Sequence, residues 1–542
     1  MSGSIDTVHT ALARGLQTQG IGTLFGLLGD SNLFMADAFT RTCGGRFVPS
    51  TTEANAVLMA LGHAAMTGNV GAATVTQGPA VSNALTALIE GVKANLPMVL
   101  LCGDTSPADP WHPQTVAQEA LITAAGAGFE RLKSPDTVTT DLATAFRRAM
   151  VERRPIAFNM PTDLMWEPAS DSVVPTITPA RAGGDADGPA MEEAVGIIAA
   201  ARRPVILAGR GAIPARDTLV GLADRIGAPL ATTLRAKALF AGHDFDLGVC
   251  GTLSTPAASE VIASADCVIA FGAALGRFTT MRGDLLKNAR LVQIDDDASA
   301  IGRHETPDVA LVGDPRAVAQ RIGYWLEQAE IPSSQATDTL APGTFTTLDP
   351  APPHRGVVGT VELTTAMDAL NAALPENRVV VSDGGRFMGT AWKRLSVTSP
   401  DNFLLTIATG AIGLGMGYAI GAAHARPDQT VLFVTGDGGL MLGGLTEFSS
   451  AVRDGLDMVV VVCNDQAYGA EYVQFEARQM DPAMSLFNWP SFAAMARAMG
   501  AQGITVTSQD ELEGALATLP GKSGPVLIEL MLDPAAVPAL QL

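Results

Sequence analysis

Asp437 and Asn464 each stand at the end of a short apolar run. The first run, Val431–Val434, leads into Thr435-Gly436-Asp437-Gly438-Gly439. The second, Met458–Cys463, leads into Asn464-Asp465-Gln466. Apolar runs of this length with polar tips read as buried parallel strands. Adjacent strand tips are where open α/β sheets hold ligands. The side-chain oxygens of Asp437 and Asn464 would then face one spot, with the Gln466 carbonyl as a third donor. Hard oxygens of this kind suit Mg²⁺, which completes its octahedron with phosphate oxygens and water. Gly438 and Gly439 allow a phosphate to approach the backbone at a helix N-terminus. A Gly-Asp-Gly turn alone is weak evidence. Its separation from Asn464-Asp465 by 25 residues carries more weight.

The elements that must position these tips follow from the rest of the chain. Its 542 residues suggest about three domains. With 47% hydrophobic residues it can bury substantial cores. Residues 1–168 alternate apolar runs with helical spacers, from TLFGLLGD to PIAFNMPTD, which predicts α/β structure on a parallel sheet. Glu167 to about Gly188 reads as a linker. Residues 189–327 repeat the pattern in PVILAGRGA, CVIAFGAAL and ARLVQIDDD. Residues 329–356, rich in Pro, Thr and Ser, read as a second linker. Residues 357–542 form the third unit and carry both tips. The shared character of the first and third units makes pseudo-equivalent halves plausible.

A formal charge of −20 argues against nucleic-acid binding. The five cysteines are scattered and form no CxxC pair, so neither zinc nor a disulfide framework is expected. They read as thiols of a reducing compartment. The start, MSGSIDTVHTALARG, carries no secretory signature. No apolar run is long enough to span a bilayer. A cytoplasmic protein is expected.

The interval between the two tips resembles the thiamine-diphosphate (ThDP) motif. The chain is similar over essentially its whole length to the acetolactate synthase, benzaldehyde lyase and 2-oxo acid decarboxylase group. The resemblance implies three doubly wound α/β domains with open parallel sheets: pyrimidine-binding, middle and diphosphate-binding. It also implies ThDP and Mg²⁺ as cofactors, with Asp437, Asn464 and the Gln466 carbonyl as metal ligands.

Other stretches fit the same family. Glu53, in FVPSTTEANAVLMALGHAAMTG, resembles the glutamate that works against the pyrimidine ring, though a helix-start glutamate is also an ordinary dipole-matched cap. Thr52 stands where many members have His, which puts simple pyruvate-decarboxylase-like chemistry in doubt. Gln77, in Thr76–Asn83, belongs to a turn like the family's GPG-x-x-N, with Ala80 for the second Gly. In Gly410-Ala411-Ile412-Gly413, Ile412 matches the wedge that bends the cofactor, and Gly410 supplies the carbonyl two residues earlier. The bend makes proton transfer intramolecular. Gly384 and Gly385, beside Arg386, match the turn that neighbours the diphosphate. Gly436, Gly438, Gly439, Ala467, Tyr468 and Gly469 complete the cofactor-facing set. Ala470 and Glu471 face substrate by match, with Gln474 a weaker candidate. Gln118 resembles the glutamine placed over the thiazolium ring. His112 is either an acid/base or an exposed loop histidine. His63 and His424 read as structural. Strand tips at Gly209-Arg210-Gly211 and Asp295–Asp297 admit FAD or ADP in the middle domain.

The resemblance implies an active site shared between the first domain of one subunit and the third of another. A homodimer at least, and a homotetramer, are therefore expected. The implied reaction makes or breaks a C–C bond beside a small-molecule carbonyl group. The expected activity is 2-oxo acid decarboxylation with carboligation. The alternatives are a 2-hydroxy ketone or 2-hydroxyacyl-CoA lyase, a flavin-dependent oxidase, and a non-catalytic cofactor-binding regulatory protein.

Overall fold

A computed structural model describes residues 6–169 and 187–538. The linker expected over Glu167–Gly188 lies largely outside the described residues. The segment 329–356 holds a single short 3₁₀ turn, Ala336–Thr339, and no other regular element.

The described chain forms three six-stranded sheets, with parallel ladders and flanking helices. The first sheet holds β1 (Thr23–Gly26), β2 (Arg46–Pro49), β3 (Gly71–Val75), β4 (Met98–Asp104), β5 (Gly128–Arg131) and β6 (Pro155–Pro161). Its spatial order is β2-β1-β3-β4-β6-β5. The second holds β7 (Pro204–Ala208), β8 (Leu230–Thr232), β9 (Asp246–Val249), β10 (Cys267–Phe271), β11 (Arg290–Asp295) and β12 (Val309–Val312). Its order is β12-β11-β10-β7-β8-β9. The third holds β13 (Arg378–Ser382), β14 (Phe403–Leu405), β15 (Thr430–Gly436), β16 (Met458–Asn464), β17 (Gln502–Val506) and β18 (Val526–Met531). Its order is β14-β13-β15-β16-β18-β17.

The first and third sheets share one permutation: β1 corresponds to β13, β2 to β14, β3 to β15, and so on. The pseudo-equivalence suggested by the sequence is therefore a fact of the topology. Central strands such as β15 and β16 are buried on both faces, which explains their unbroken Val/Leu/Phe runs.

The chain divides into two compact units. One contains the first and third sheets. Within it, the helices that follow β2 and β14 pack on each other. Helix Glu53–Thr67 starts at Thr52, whose hydroxyl accepts from the Asn55 N–H, and stops at Gly68 in the left-handed region. Its partner, Gly415–Ala425, is nearly all Gly, Ala and apolar residues and is buried on almost every side. Their backbones touch where side chains are missing. A Cβ on Gly62 would lie 2.3 Å from the Tyr418 carbonyl, and one on Gly421 would lie 2.0 Å from that of Met59. Leu58, Met59 and Leu61 share one core cluster with Met416, Tyr418 and Ile420.

The other compact unit contains the second sheet. There the Gly209 N–H donates to Phe271 and the Gly211 N–H to Gly272, both at 3.2 Å or less. Those amides are engaged with the neighbouring strand tip. No helix among the described residues is long and apolar enough to cross a membrane.

Candidate active site

Asp437 and Asp465 each follow directly on a strand, β15 and β16, which are paired neighbours with Gly436 opposite Cys463. Asp437 opens a continuous helical run, 437–453, interrupted by one π turn at Leu440–Gly444. Such a turn absorbs one extra residue without ending the helix. The Asp437 Oδ1 accepts from the Gly438 N–H at 2.8 Å, and its Oδ2 from the Trp489 indole N–H at 3.0 Å. Asp465 Oδ1 accepts from the Ala467 N–H at 3.3 Å, and its Oδ2 lies 3.8 Å from Arg386 Nη1.

Both carboxylates are buried. Burial pushes Asp437 up to about 6. Burial, and then the charge of Asp437, pushes Asp465 up to about 7 against the opposing pull of Arg386. Two like charges held together out of water are costly unless a cation joins them.

These residues line one cleft. Its lining includes Gly384, Gly385, Arg386, Phe387 and Ile412, with Gly436, Gly438 and Gly439. Ala467, Tyr468, Gly469, Ala470 and Glu471 also belong to the lining. The glycines belong to the shape. A Cβ on Gly438 would strike the Tyr468 ring at 2.5 Å, and one on Gly384 would meet Ile412 at 3.3 Å. Asp383 ties the walls together. Its fully buried carboxylate accepts from the N–H groups of Gly384 and Gly413, both at 2.9 Å, and from the Thr435 hydroxyl at 3.2 Å. Burial raises Asp383 to about 6.

Asn464 is placed otherwise than expected. It is the last residue of β16 and does not line the cleft. Its Nδ2 donates to Glu529 at 3.0 Å, and its Oδ1 accepts from the Gln466 N–H at 3.1 Å. The Gln466 carbonyl accepts from the Phe487 N–H at 2.8 Å. Asp465 is the residue that sequence reasoning passed over. The apolar run ends at Cys463 and so points to Asn464; only the strand's extension through Asn464 in the folded chain puts Asp465 on the cleft. Trp489 carried no signal either, since only the folded chain brings residue 489 to residue 437.

Gly410 lies at the exposed start of the wedge segment, with φ of 78°, where glycine is favoured. Ile412, two residues on, lines the cleft, whereas Gly410 does not.

No residue of 6–169 lines the cleft. Glu53 is the first residue of its helix and accepts from Asn83 Nδ2 at 3.3 Å. Gln118 spends both ends of its amide within its own domain: Oε1 takes the Gly78 N–H at 2.6 Å and Nε2 donates to Gly103 at 2.9 Å. Gln77 donates to Asp30 at 3.1 Å and to Gln114 at 2.7 Å. His112 is half-buried and accepts from the Gln114 N–H at 3.2 Å. The structure thus gathers the third-domain candidates other than Gly410, Asn464, Gln466 and Gln474, and leaves the first-domain ones at the carboxyl ends of their own sheet.

The donor set fits a divalent cation and the diphosphate it would carry. It offers two buried carboxylates and the lining residue Ala467, with Gly438 and Gly439 at the start of a helical run.

Comparison with known proteins defines the class. Profiles of the thiamine pyrophosphate enzymes match three segments: the N-terminal TPP binding domain at residues 6–121, the central domain at 191–322, and the C-terminal TPP binding domain at 383–530. The chain belongs to the thiamine pyrophosphate enzyme family. A probable 2-ketoarginine decarboxylase of Pseudomonas aeruginosa is 28% identical, over 97% of this chain and 94% of that protein. A sulfoacetaldehyde acetyltransferase of Alcaligenes xylosoxydans xylosoxydans is also 28% identical, over 92% and 87%. The large subunit of acetolactate synthase isozyme 2 of Escherichia coli K12 is 26% identical, over 98% and 96%.

Proposed function

We propose that the chain is a Mg²⁺- and ThDP-dependent 2-oxo acid decarboxylase and carboligase. One observation carries this reading. One cleft is lined by two buried carboxylates, a glycine-lined helix start and Ile412. When bound, ThDP supplies a nucleophilic carbon and an electron sink for the charge left as a 2-oxo acid loses CO₂.

The chain's own groups bind and orient. Asp437, Asp465 and the Ala467 carbonyl hold Mg²⁺, in place of the Asn464 and Gln466 set. The Gly439 amide at the start of the helical run would receive a phosphate oxygen, while the Gly438 N–H holds Asp437 Oδ1. Ile412 would support the bound cofactor from the cleft lining, and the Gly410 carbonyl would accept from its aminopyrimidine. Tyr468 and Gly469 close the diphosphate side, while Ala470 leaves room for the substrate's substituent beside Glu471. Glu53 reaches this cleft from a second copy of the chain, where its carboxyl moves a proton at the pyrimidine ring. A homodimer, or a tetramer built from two, follows from that sharing. Gln77, Gln118 and His112 of the same second copy cover the substrate side. The free cysteines suit a reducing cytoplasm.

The runner-up, a hydroxy-ketone or 2-hydroxyacyl-CoA lyase, is favoured by Ala470 on the cleft wall and by Thr52 serving as a cap. Product analysis with pyruvate, benzoylformate and benzoin separates the two. CO₂ release from a 2-oxo acid is expected; cleavage of benzoin without turnover of any 2-oxo acid selects the lyase. Glu53→Gln is expected to abolish most turnover while ThDP stays bound, and unchanged turnover removes its assigned role.

A further inference from the structure

We propose that Glu90 and Glu447 are a reciprocal pair of positioning residues. Each belongs to one cofactor-binding domain and pins the strand-end turn of the other. The inference rests on the functional reading above for what those turns present, but the pairing itself stands on geometry.

Both side chains are fully buried. Among the described residues, neither is in an ion pair. Glu90 lies on helix Leu85–Ala94, which follows β3. Its Oε1 accepts from the Ala408 N–H at 2.9 Å and its Oε2 from the Thr409 N–H at 2.8 Å. Those amides follow β14 and stand immediately before Gly410 and Ile412. Glu447 lies on helix Leu445–Arg453, which follows β15. Its Oε2 accepts from the Thr51 N–H at 3.0 Å and from the Thr51 hydroxyl at 2.7 Å, with Oε1 at 3.3 Å from the same N–H. Thr51 follows β2 and stands two residues before Glu53.

Under the shared permutation, β3 corresponds to β15 and β2 to β14. The two contacts are therefore the same contact made twice, once in each direction. A carboxylate buried without a cation is tolerated only where its oxygens meet good donors. Here the donors are backbone N–H groups of a turn, so the acid's need for partners fixes the turn. Glu90 holds the wedge segment from its N-terminal side. Asp383, through the Gly413 N–H, holds it from the other.

The two latches differ in how they respond to an amide. Glu90 uses each oxygen for a different N–H, so glutamine leaves one donor facing an NH₂ group. Glu447 takes both Thr51 donors mainly on one oxygen, so glutamine keeps them.

The test uses the full-length chain. Amide hydrogen exchange is followed in the cofactor-free protein. Binding of ThDP with Mg²⁺ is titrated by tryptophan fluorescence. Glu90→Gln is expected to speed exchange at 408–409 and weaken ThDP binding by about tenfold, the equivalent of one charge-assisted hydrogen bond. Glu447→Gln should stay within about twofold of wild type in both readouts, whereas Glu447→Ala should speed exchange at 50–52 and lower kcat more than it raises the ThDP Kd. Should Glu90→Gln fail to fold, Glu90→Asp keeps the charge but lacks the reach, and the same local change is expected. Unchanged exchange at 408–409 overturns the proposal. So does uniform loosening of every segment in both alanine and glutamine variants. A wild type that binds no ThDP defeats the functional reading alone, because the exchange arm needs no cofactor.

Discussion

At the scale of single residues, the decisive pair is Asp437 with Asp465. Their mutual charge and burial make the empty pair costly and a bound divalent cation favourable. Asn464 is one position short of the cleft and already bonded on both sides of its amide. Asp465→Ala is therefore expected to weaken Mg²⁺ binding by at least about tenfold. Asn464→Ala should instead lower the melting temperature, because it removes the donor to Oε1 of the buried Glu529, whose Oε2 keeps its bonds to Ser491, Ala493 and Thr505. Isothermal titration with Mg²⁺ in the presence of ThDP distinguishes them. Retention of metal by the Asp465 variant and its loss from the Asn464 variant would reverse the assignment. Trp489→Phe removes the indole donor from Asp437 but keeps the stacking on Phe487, whose ring centroid lies 4.7 Å away. It should cost about tenfold or less in metal affinity, the scale of a supporting hydrogen bond.

At the scale of elements, the helix pair Glu53–Thr67 and Gly415–Ala425 sets how closely the two cofactor domains approach. The crossing depends on Gly62 and Gly421, whose missing side chains let carbonyls of the other helix touch the backbone. Gly62→Ala or Gly421→Ala adds a methyl group where backbone, not a flexible side-chain end, stands in the way. Each is expected to destabilise by about 1–3 kcal/mol, read as a fall in the urea midpoint at unchanged slope. Gly196→Ala, where a Cβ meets nothing within 4 Å, is the control and should be neutral or slightly stabilising. These elements also show how far the sequence could be read. Buried strands announce themselves as apolar runs, so the α/β class and the tip at Asp437 were legible, whereas Ile412 was reached only through resemblance to the family. A glycine in a helix signals only a close approach, and its partner appears after folding. Glu90 and Glu447 were illegible for the same reason. Each sits in a helical stretch where a glutamate ordinarily faces water, and the turn that claims it lies hundreds of residues away.

At the scale of the whole molecule, the unit that carries the cleft buries an imidazole where its two cofactor domains meet. His424, on helix Gly415–Ala425, packs beside Phe25 of β1, with ring centroids 5.9 Å apart. His63, from the facing helix, packs on the same ring at 5.7 Å. Burial holds His424 down at about 4, helped by Arg46 and His63 and opposed by Asp454. Asp454 Oδ2 lies 3.2 Å from its Nε2, in a geometry that leaves both ring nitrogens without a hydrogen bond. The folded state therefore favours the neutral ring, whereas the unfolded chain takes up a proton near the ordinary value of about 6.5. Between those two values the unfolded state binds more protons, so stability falls as pH falls. The contribution is complete above about pH 6.5 and is lost progressively toward about pH 4, amounting to a few kcal/mol at most. His424→Gln removes the titration while keeping a polar side chain of similar reach. Urea unfolding of wild type and variant at pH 7.5 and pH 5 should show the wild type losing more stability on acidification than the variant. Equal losses would mean that the buried ring does not set the acid limb, and that the fall belongs to other groups at the junction of the two domains.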